Sequence, residues 1–141
     1  MLLQVIIIYI QIPIDTHMRR ILAVDDDHDI LEVLQFILED SGYKVDTLSD
    51  GRQLMDTIRD KHPDLILLDI MLGNMDGREL CKEVKKQAST HKIPVIMISA
   101  SHNIADSLKQ ENGPNDFVAK PFDINVLLDS IKKQLTQSAA A

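Results

Sequence analysis

Polar residues able to do chemistry stand just past four short apolar runs. Asp25 and Asp26 follow Ile21-Leu22-Ala23-Val24, Asp69 follows Leu65-Ile66-Leu67-Leu68, Ser99 follows Val95-Ile96-Met97-Ile98, and Lys120 follows Phe117-Val118-Ala119. Three carboxylates with no His or Cys among them form a hard-oxygen set. Such a set selects a hard ion, and Mg²⁺ needs only one or two carboxylates plus phosphate and water. A metal and an ammonium beside a carboxylate suit phosphoryl transfer, where positioning and charge neutralisation do most of the work. A carboxylate can itself be the nucleophile and become an aspartyl phosphate. Ser99 could then donate to a phosphoryl oxygen, and Lys120 could balance its charge.

Each residue also has a plainer reading. Asp25-Asp26-Asp27 could be a solvated turn that caps the next helix, since Asp favours N-caps and first turns; Asp27 is expected to cap. A Ser at a strand end is common in turns, and a Lys before Pro is common on surfaces. Their joint placement at four strand ends favours the crevice, because carboxylates held close repel one another unless a cation or ammonium joins them.

The elements that must position these residues alternate along the chain. After the first apolar run, Ile30, Val33, Leu34, Ile37 and Leu38 follow the helical i, i+3, i+4, i+7 pattern, and Ser41-Gly42 stops that helix. Residues 43–48 form a weaker, more polar strand candidate, and 51–61 a helix anchored by Leu54 and Ile58 and broken by His62-Pro63-Asp64. Asp76-Gly77 opens a helix through Leu80 and Val84, Pro94 introduces the fourth strand, and a helix is expected near 103–110. Gly113-Pro114-Asn115 turns into the fifth strand, and Ile124, Leu127, Leu128, Ile131 and Leu135 mark a last helix before a frayed Ala tail.

Strands alternating with helices imply a parallel sheet with right-handed crossovers and helices on both faces. The expected fold is α/β, a flavodoxin-like three-layer (βα)5 sandwich with a five-stranded parallel sheet in the order 2-1-3-4-5. That order opens a crevice between strands one and three, at the carboxyl ends that carry Asp25, Asp26 and Asp69. One domain is expected over 18–136, with an apolar extension at 1–17 and a tail at 137–141.

Composition narrows the class. The 141 residues suit one core, 45% hydrophobic and 26% charged residues read as an ordinary globular chain, and a net charge of −7 argues against direct contact with nucleic acid. The lone Cys81 excludes an internal disulfide framework, fits a reducing and hence cytoplasmic compartment, and reads as a buried structural thiol. The apolar stretch of the first seventeen residues is interrupted by Gln4, Gln11 and Pro13, and falls short of the ~20 residues that cross a bilayer. It lacks a basic n-region and cleavage site, so a signal peptide is not expected. Its β-branched content favours a strand that pairs with a sheet edge or a second chain; the alternative is an upstream start codon.

The ordered set Ile21-Leu22-Ala23-Val24-Asp25-Asp26-Asp27, Asp69-Ile70-Met71 with Met75-Asp76-Gly77, Ser99-Ala100 and Asp116-Phe117-Val118-Ala119-Lys120-Pro121-Phe122 resembles the motifs of response regulator receiver domains. The match spans roughly 18–135. The resemblance implies that Asp69 accepts a phosphoryl group from a sensor histidine kinase or a histidine phosphotransfer protein. It implies Mg²⁺ held by Asp26, Asp69 and the Met71 backbone carbonyl, with Asp25 acting largely through water. Ser99 and Lys120 would hold the phosphate, Ala100 would leave it room, Phe117 would be the aromatic switch, and Lys120-Pro121 would be a cis peptide. A single-domain, phosphorylation-controlled binding module follows, with no turnover beyond Mg²⁺-dependent self-phosphorylation and slow autodephosphorylation. Its downstream protein target is unspecified, and it could pair as a homodimer.

Three departures from that pattern stand out. The loop after Asp69 has Gly73 where Pro is usual, so it is expected to be more mobile. The chain between Ser99 and Gly113 is one residue short, and Pro114 stands where Ala is typical. The last two fall around the fourth helix and its exit, the face many receivers use for output or dimerisation, and put pairing through it in doubt. His17, His28, His62, His91 and His102 are scattered and read as surface residues. A haloacid-dehalogenase-like phosphatase would want an acid/base Asp at the position of Met71, and three aspartates after strand one would repel a flavin phosphate. A pseudo-receiver would have lost one of the acidic or Lys positions, and none is lost.

Overall fold

Aliphatic runs without polar alternation need burial on both faces. In the computed structural model, which describes residues 18–100 and 110–140, those runs become the strands of one parallel sheet. The strands are β1 (Arg20–Val24), β2 (Lys44–Leu48), β3 (Leu65–Asp69), β4 (Val95–Ser99) and β5 (Asp116–Ala119), in the order β2-β1-β3-β4-β5. Every residue of β3 and β4 is buried. The weaker sequence signal of β2 has a simple cause: it lies at the sheet edge, and Lys44 and Thr47 are exposed.

Successive side chains of a strand point to opposite faces, and this divides the core in two. Leu22, Val24, Ile66, Leu68 and Met97 lie beneath α2 (Leu54–Lys61) and α3 (Gly77–Lys86), which contribute Leu54, Ile58, Leu80, Cys81 and Val84. Ile21, Ala23, Leu65, Leu67, Ile96 and Ile98 lie beneath α1 (His28–Asp40) and α4 (Ile124–Ala140), which contribute Leu31, Leu34, Leu38, Leu127, Ile131 and Leu135. Leu22, Leu34 and Leu67 are at most 1% exposed, and truncating one such Leu to Ala typically costs about 2–5 kcal/mol.

Short polar side chains start the helices. Asp27 accepts from the Asp29 N–H at 2.9 Å, Asp76 from the Arg78 N–H at 2.9 Å, and Asp123 from the Asn125 N–H at 2.8 Å. Each bond satisfies a donor that helical geometry leaves unpaired. Gly42, at φ +95°, ends α1 in a left-handed conformation that glycine adopts without steric penalty.

Local differences from the sequence expectations have physical reasons. The helix expected over 51–61 opens as a 3-10 turn, Gly51–Gln53, with Asp50 capping the Arg52 N–H at 2.9 Å. The loop after Asp69 is a small antiparallel hairpin that pairs Met71 with Asp76 and Leu72 with Met75, strands too short to register as a sequence period. Gly73 sits in its turn at φ +60°. The last helix continues to Ala140, so residues 137–140 belong to it. Cys81 is 1% exposed, and His28, His62 and His91 are exposed. The expected helix near 103–110, the apolar segment at 1–17, and His17 and His102 lie outside the described residues. Among the described residues, no helix is long and apolar enough to cross a membrane.

Candidate functional site

Strand register brings the chemistry together. Val24 pairs with Leu68, Asp69 with Ile98, and Ser99 with Ala119, so β1, β3, β4 and β5 all end at one level. Asp25 and Asp26 leave the end of β1 beside Asp69, and Lys120 leaves the end of β5. One carboxylate oxygen from each of Asp25, Asp26 and Asp69 lies within 4.8 Å of the other two.

Each side chain is held by its surroundings. Asp25, 2% exposed, accepts from the Asp27 N–H at 3.0 Å, while its own N–H donates to the Leu48 carbonyl at 3.1 Å. Asp26 is exposed and accepts from the Gly73 N–H at 3.1 Å, which ties the hairpin turn to the site. Asp69, 6% exposed, accepts from the Met71 N–H at 3.3 Å. Lys120 Nζ donates to Asp25 Oδ2 at 2.8 Å and to Asp69 Oδ2 at 3.2 Å. The Lys120 N–H donates to the Ser99 carbonyl at 2.8 Å, and the Lys120–Pro121 peptide is cis. Ser99 is buried, Ala100 is exposed, and Phe117 is half-buried against the core beneath α2 and α3.

The electrostatics follow from this crowding. Burial, and then the charge of Asp25, raise the Asp69 carboxyl above the usual carboxylate range; the Lys120 ammonium opposes them without prevailing. Burial alone would lower Lys120, but its bonds and charge attraction to Asp25 and Asp69 hold its pKa above the ordinary value. One ammonium serves two of the three carboxylates, Asp25 and Asp69, which leaves negative charge that a hard cation can neutralise. The donor set is all oxygen and fits Mg²⁺ or another hard divalent ion. Arg52 lines a cavity of about 420 Å³ together with Asp26, but its guanidinium is engaged by Asp50 at 2.7 Å.

Two backbone contributors escaped the sequence reading. Gly77 packs so tightly against β3 that a Cβ there would collide with the Asp69 carbonyl oxygen and lie 2.9 Å from the Ile70 Cα. Its N–H donates to the Ile70 carbonyl at 2.6 Å. Asp76-Gly77 signals a helix start and stands among the residues of the family resemblance, but no local pattern announces a steric contact with Asp69. The Gly73 N–H that holds Asp26 is equally invisible, because the two residues are 47 positions apart in sequence.

Comparison with known proteins agrees with this architecture. The family model described as response regulator receiver domain matches residues 21–132, and the chain belongs to that family. Among solved structures, a CheY-like response regulator receiver domain protein from Methanospirillum hungatei is similar at 30% identity and TM-score 0.80, covering 88% of this chain and 98% of its own. CheY4 of Vibrio cholerae, a chemotaxis response regulator, is 28% identical with TM-score 0.76, covering 84% of this chain and 99% of its own. NtrX from Brucella abortus is 35% identical with TM-score 0.77 over 88% of this chain, which spans only 29% of NtrX. Receiver domains of this family work with histidine kinases and downstream targets in two-component signalling.

Proposed function

We propose that Asp69 accepts a phosphoryl group from the phosphohistidine of a sensor histidine kinase or a histidine phosphotransfer protein, and that the modified domain changes its binding to a downstream protein. The observation that carries this reading is the Lys120 ammonium bonded to both Asp25 and Asp69, with Asp26 alongside.

An Asp69 carboxylate oxygen attacks phosphorus; the O–P bond forms as the P–N bond breaks, and the electron pair leaves on the imidazole nitrogen, which takes up a proton. Mg²⁺ held by Asp26, Asp69 and the Met71 carbonyl, with Asp25 acting through water, would neutralise charge on the phosphoryl oxygens. Lys120 turns from Asp69 to a phosphoryl oxygen, a charge-assisted bond to a group of greater negative charge. Ser99 donates to another phosphoryl oxygen, Ala100 leaves room for it, and Phe117 turns inward as the Ser99 hydroxyl moves. The donor's approach is supported by an open, mainly apolar hollow beside Lys120, lined by Ile30, Ala100, Pro121 and Phe122. Membership of a two-component signalling family supports a cytoplasmic setting for this activity, and a second copy of the chain is one form the reading partner could take.

Phosphotransfer profiling tests the reading: purified kinases and phosphotransfer domains are offered to the protein with Mg²⁺. One donor is expected to label wild type and leave Asp69→Asn unlabelled. Equal labelling of both proteins contradicts the assignment.

A further inference from the structure

The end of the sheet away from Asp69 carries a second polar cleft, of about 340 Å³, where β4 and β5 begin. Lys85 of α3, His91 and Lys92 before β4, Asn115 before β5, and Gln134 and Ser138 of α4 line it, and no carboxylate does. Lys85 Nζ donates to the Ile93 carbonyl at 2.7 Å and the His91 carbonyl at 3.4 Å, so the ammonium is fixed in place with a third N–H left over. Asn115 uses its Oδ1 to accept from the Val95 N–H at 2.9 Å, which leaves its NH₂ as the free end.

Gln134 is the less ordinary member. It is only 7% exposed and its carboxamide has no hydrogen-bond partner among the described residues. No unpartnered side-chain nitrogen or oxygen among them is sealed from solvent-sized space. Since Gln134 lines the cleft, that is where its amide opens. The amide therefore meets solvent there and has its donors and acceptor to offer, and a ligand in the cleft would give it a fixed partner. Burial also lowers the pKa of Lys85, as expected of an ammonium that lacks a nearby counter-charge.

Two ammoniums, three carboxamides (Gln137 of α4 is the third) and a hydroxyl converging without an acid make a donor-rich pocket in a chain of net charge −7. We propose that this cleft binds a small polyanion through phosphate or carboxylate oxygens, at a site separate from Asp69. The carboxylate-lined Asp69 crevice has the opposite charge character, so the two sites select different ions.

Nitrogen-15 NMR of the metal-free full chain tests this, with inorganic pyrophosphate and citrate titrated separately. Saturable shifts are expected at Lys92, Asn115 and the Gln134 side-chain amide. Lys92→Ala, at an exposed position, and Gln134→Leu are each expected to weaken binding roughly tenfold, the effect of one lost charge-assisted or buried hydrogen bond. Saturation by pyrophosphate alone assigns phosphate esters, by citrate alone polycarboxylates, and by both a charge-led site. The proposal is overturned if neither probe saturates, if shifts cluster around Asp69 and Lys120, or if both variants bind as tightly as wild type.

Discussion

Lys120 Nζ stands 2.8 Å from Asp25 Oδ2 although 95 residues separate the two in sequence. Asp25 follows β1 and Lys120 follows β5, so the pair spans the carboxyl edge of the sheet and meets Asp69 of β3 on the way. The amine occupies the place where opposing charge is needed before a metal or phosphoryl group arrives.

Removing that amine should therefore destabilise the metal-free protein. In Lys120→Met, Asp25 and Asp69 remain buried with their charges unpaired, a change that typically costs about 3–5 kcal/mol. Saturating Mg²⁺ should restore part of the loss by substituting for the ammonium. Urea unfolding with and without Mg²⁺ checks both points; a variant as stable as wild type in the absence of metal contradicts them.

Asp69 should titrate against stability in the opposite sense to an ordinary paired carboxylate. Because burial and Asp25 raise it above 3.8, the native state binds its proton more tightly than the unfolded chain does. Stability thus falls as pH rises from that ordinary value through the raised one, and the full penalty is present above it. Metal-free Asp69→Asn should be more stable than wild type at neutral pH, by on the order of 1 kcal/mol. The advantage should fade in acid, below the unfolded carboxylate range. Thermal melts in chelator across that interval would show it, and an Asn variant that melts lower at neutral pH would refute it. Divalent-cation affinity should weaken on acidification, starting above the ordinary carboxylate range.

Gly77 and Gly73 should differ sharply. Gly77→Ala forces a Cβ against the Asp69 carbonyl, an overpacking that costs about 1–3 kcal/mol or more and displaces the acceptor. At Gly73 nothing lies within 4 Å of an added Cβ, so Gly73→Ala bears only the left-handed backbone penalty of about 1–2 kcal/mol. Acetyl phosphate labelling should fall much further in the first variant than in the second. Equal labelling would show that the tight contact does not position Asp69.

Cys81 should be chemically silent in the native protein. Burial pushes its thiol up to about 11, and it is 1% exposed. A thiol-specific reagent at neutral pH should label it only after denaturation. Rapid labelling of folded protein would contradict the packing beneath α3.

Legibility in the sequence tracked how local each cause was. β1, β3 and β4 were plain because uninterrupted runs such as Leu65-Ile66-Leu67-Leu68 can only be buried on both faces. The pairing of Met71 with Asp76 was not, since two-residue strands are too short for any period to register. The residue types at four strand ends suggested a cation and phosphate crevice, while the separate roles of Asp69, Ser99 and Phe117 came from the family resemblance. The contact of Gly77 with Asp69 and the convergence of Lys85 with Gln134 depend on tertiary packing between distant segments, and no window of sequence contains them.

The central claim is that Asp69 is the phosphoacceptor. Intact-mass measurement after incubation with Mg²⁺ and a small phosphodonor addresses it directly. The account predicts the addition of one phosphoryl group to wild type, its loss on chelation of the metal, and none on Asp69→Asn. Modification of the Asn variant to the wild-type extent, or an unmodified wild type under conditions where it binds Mg²⁺, would contradict it.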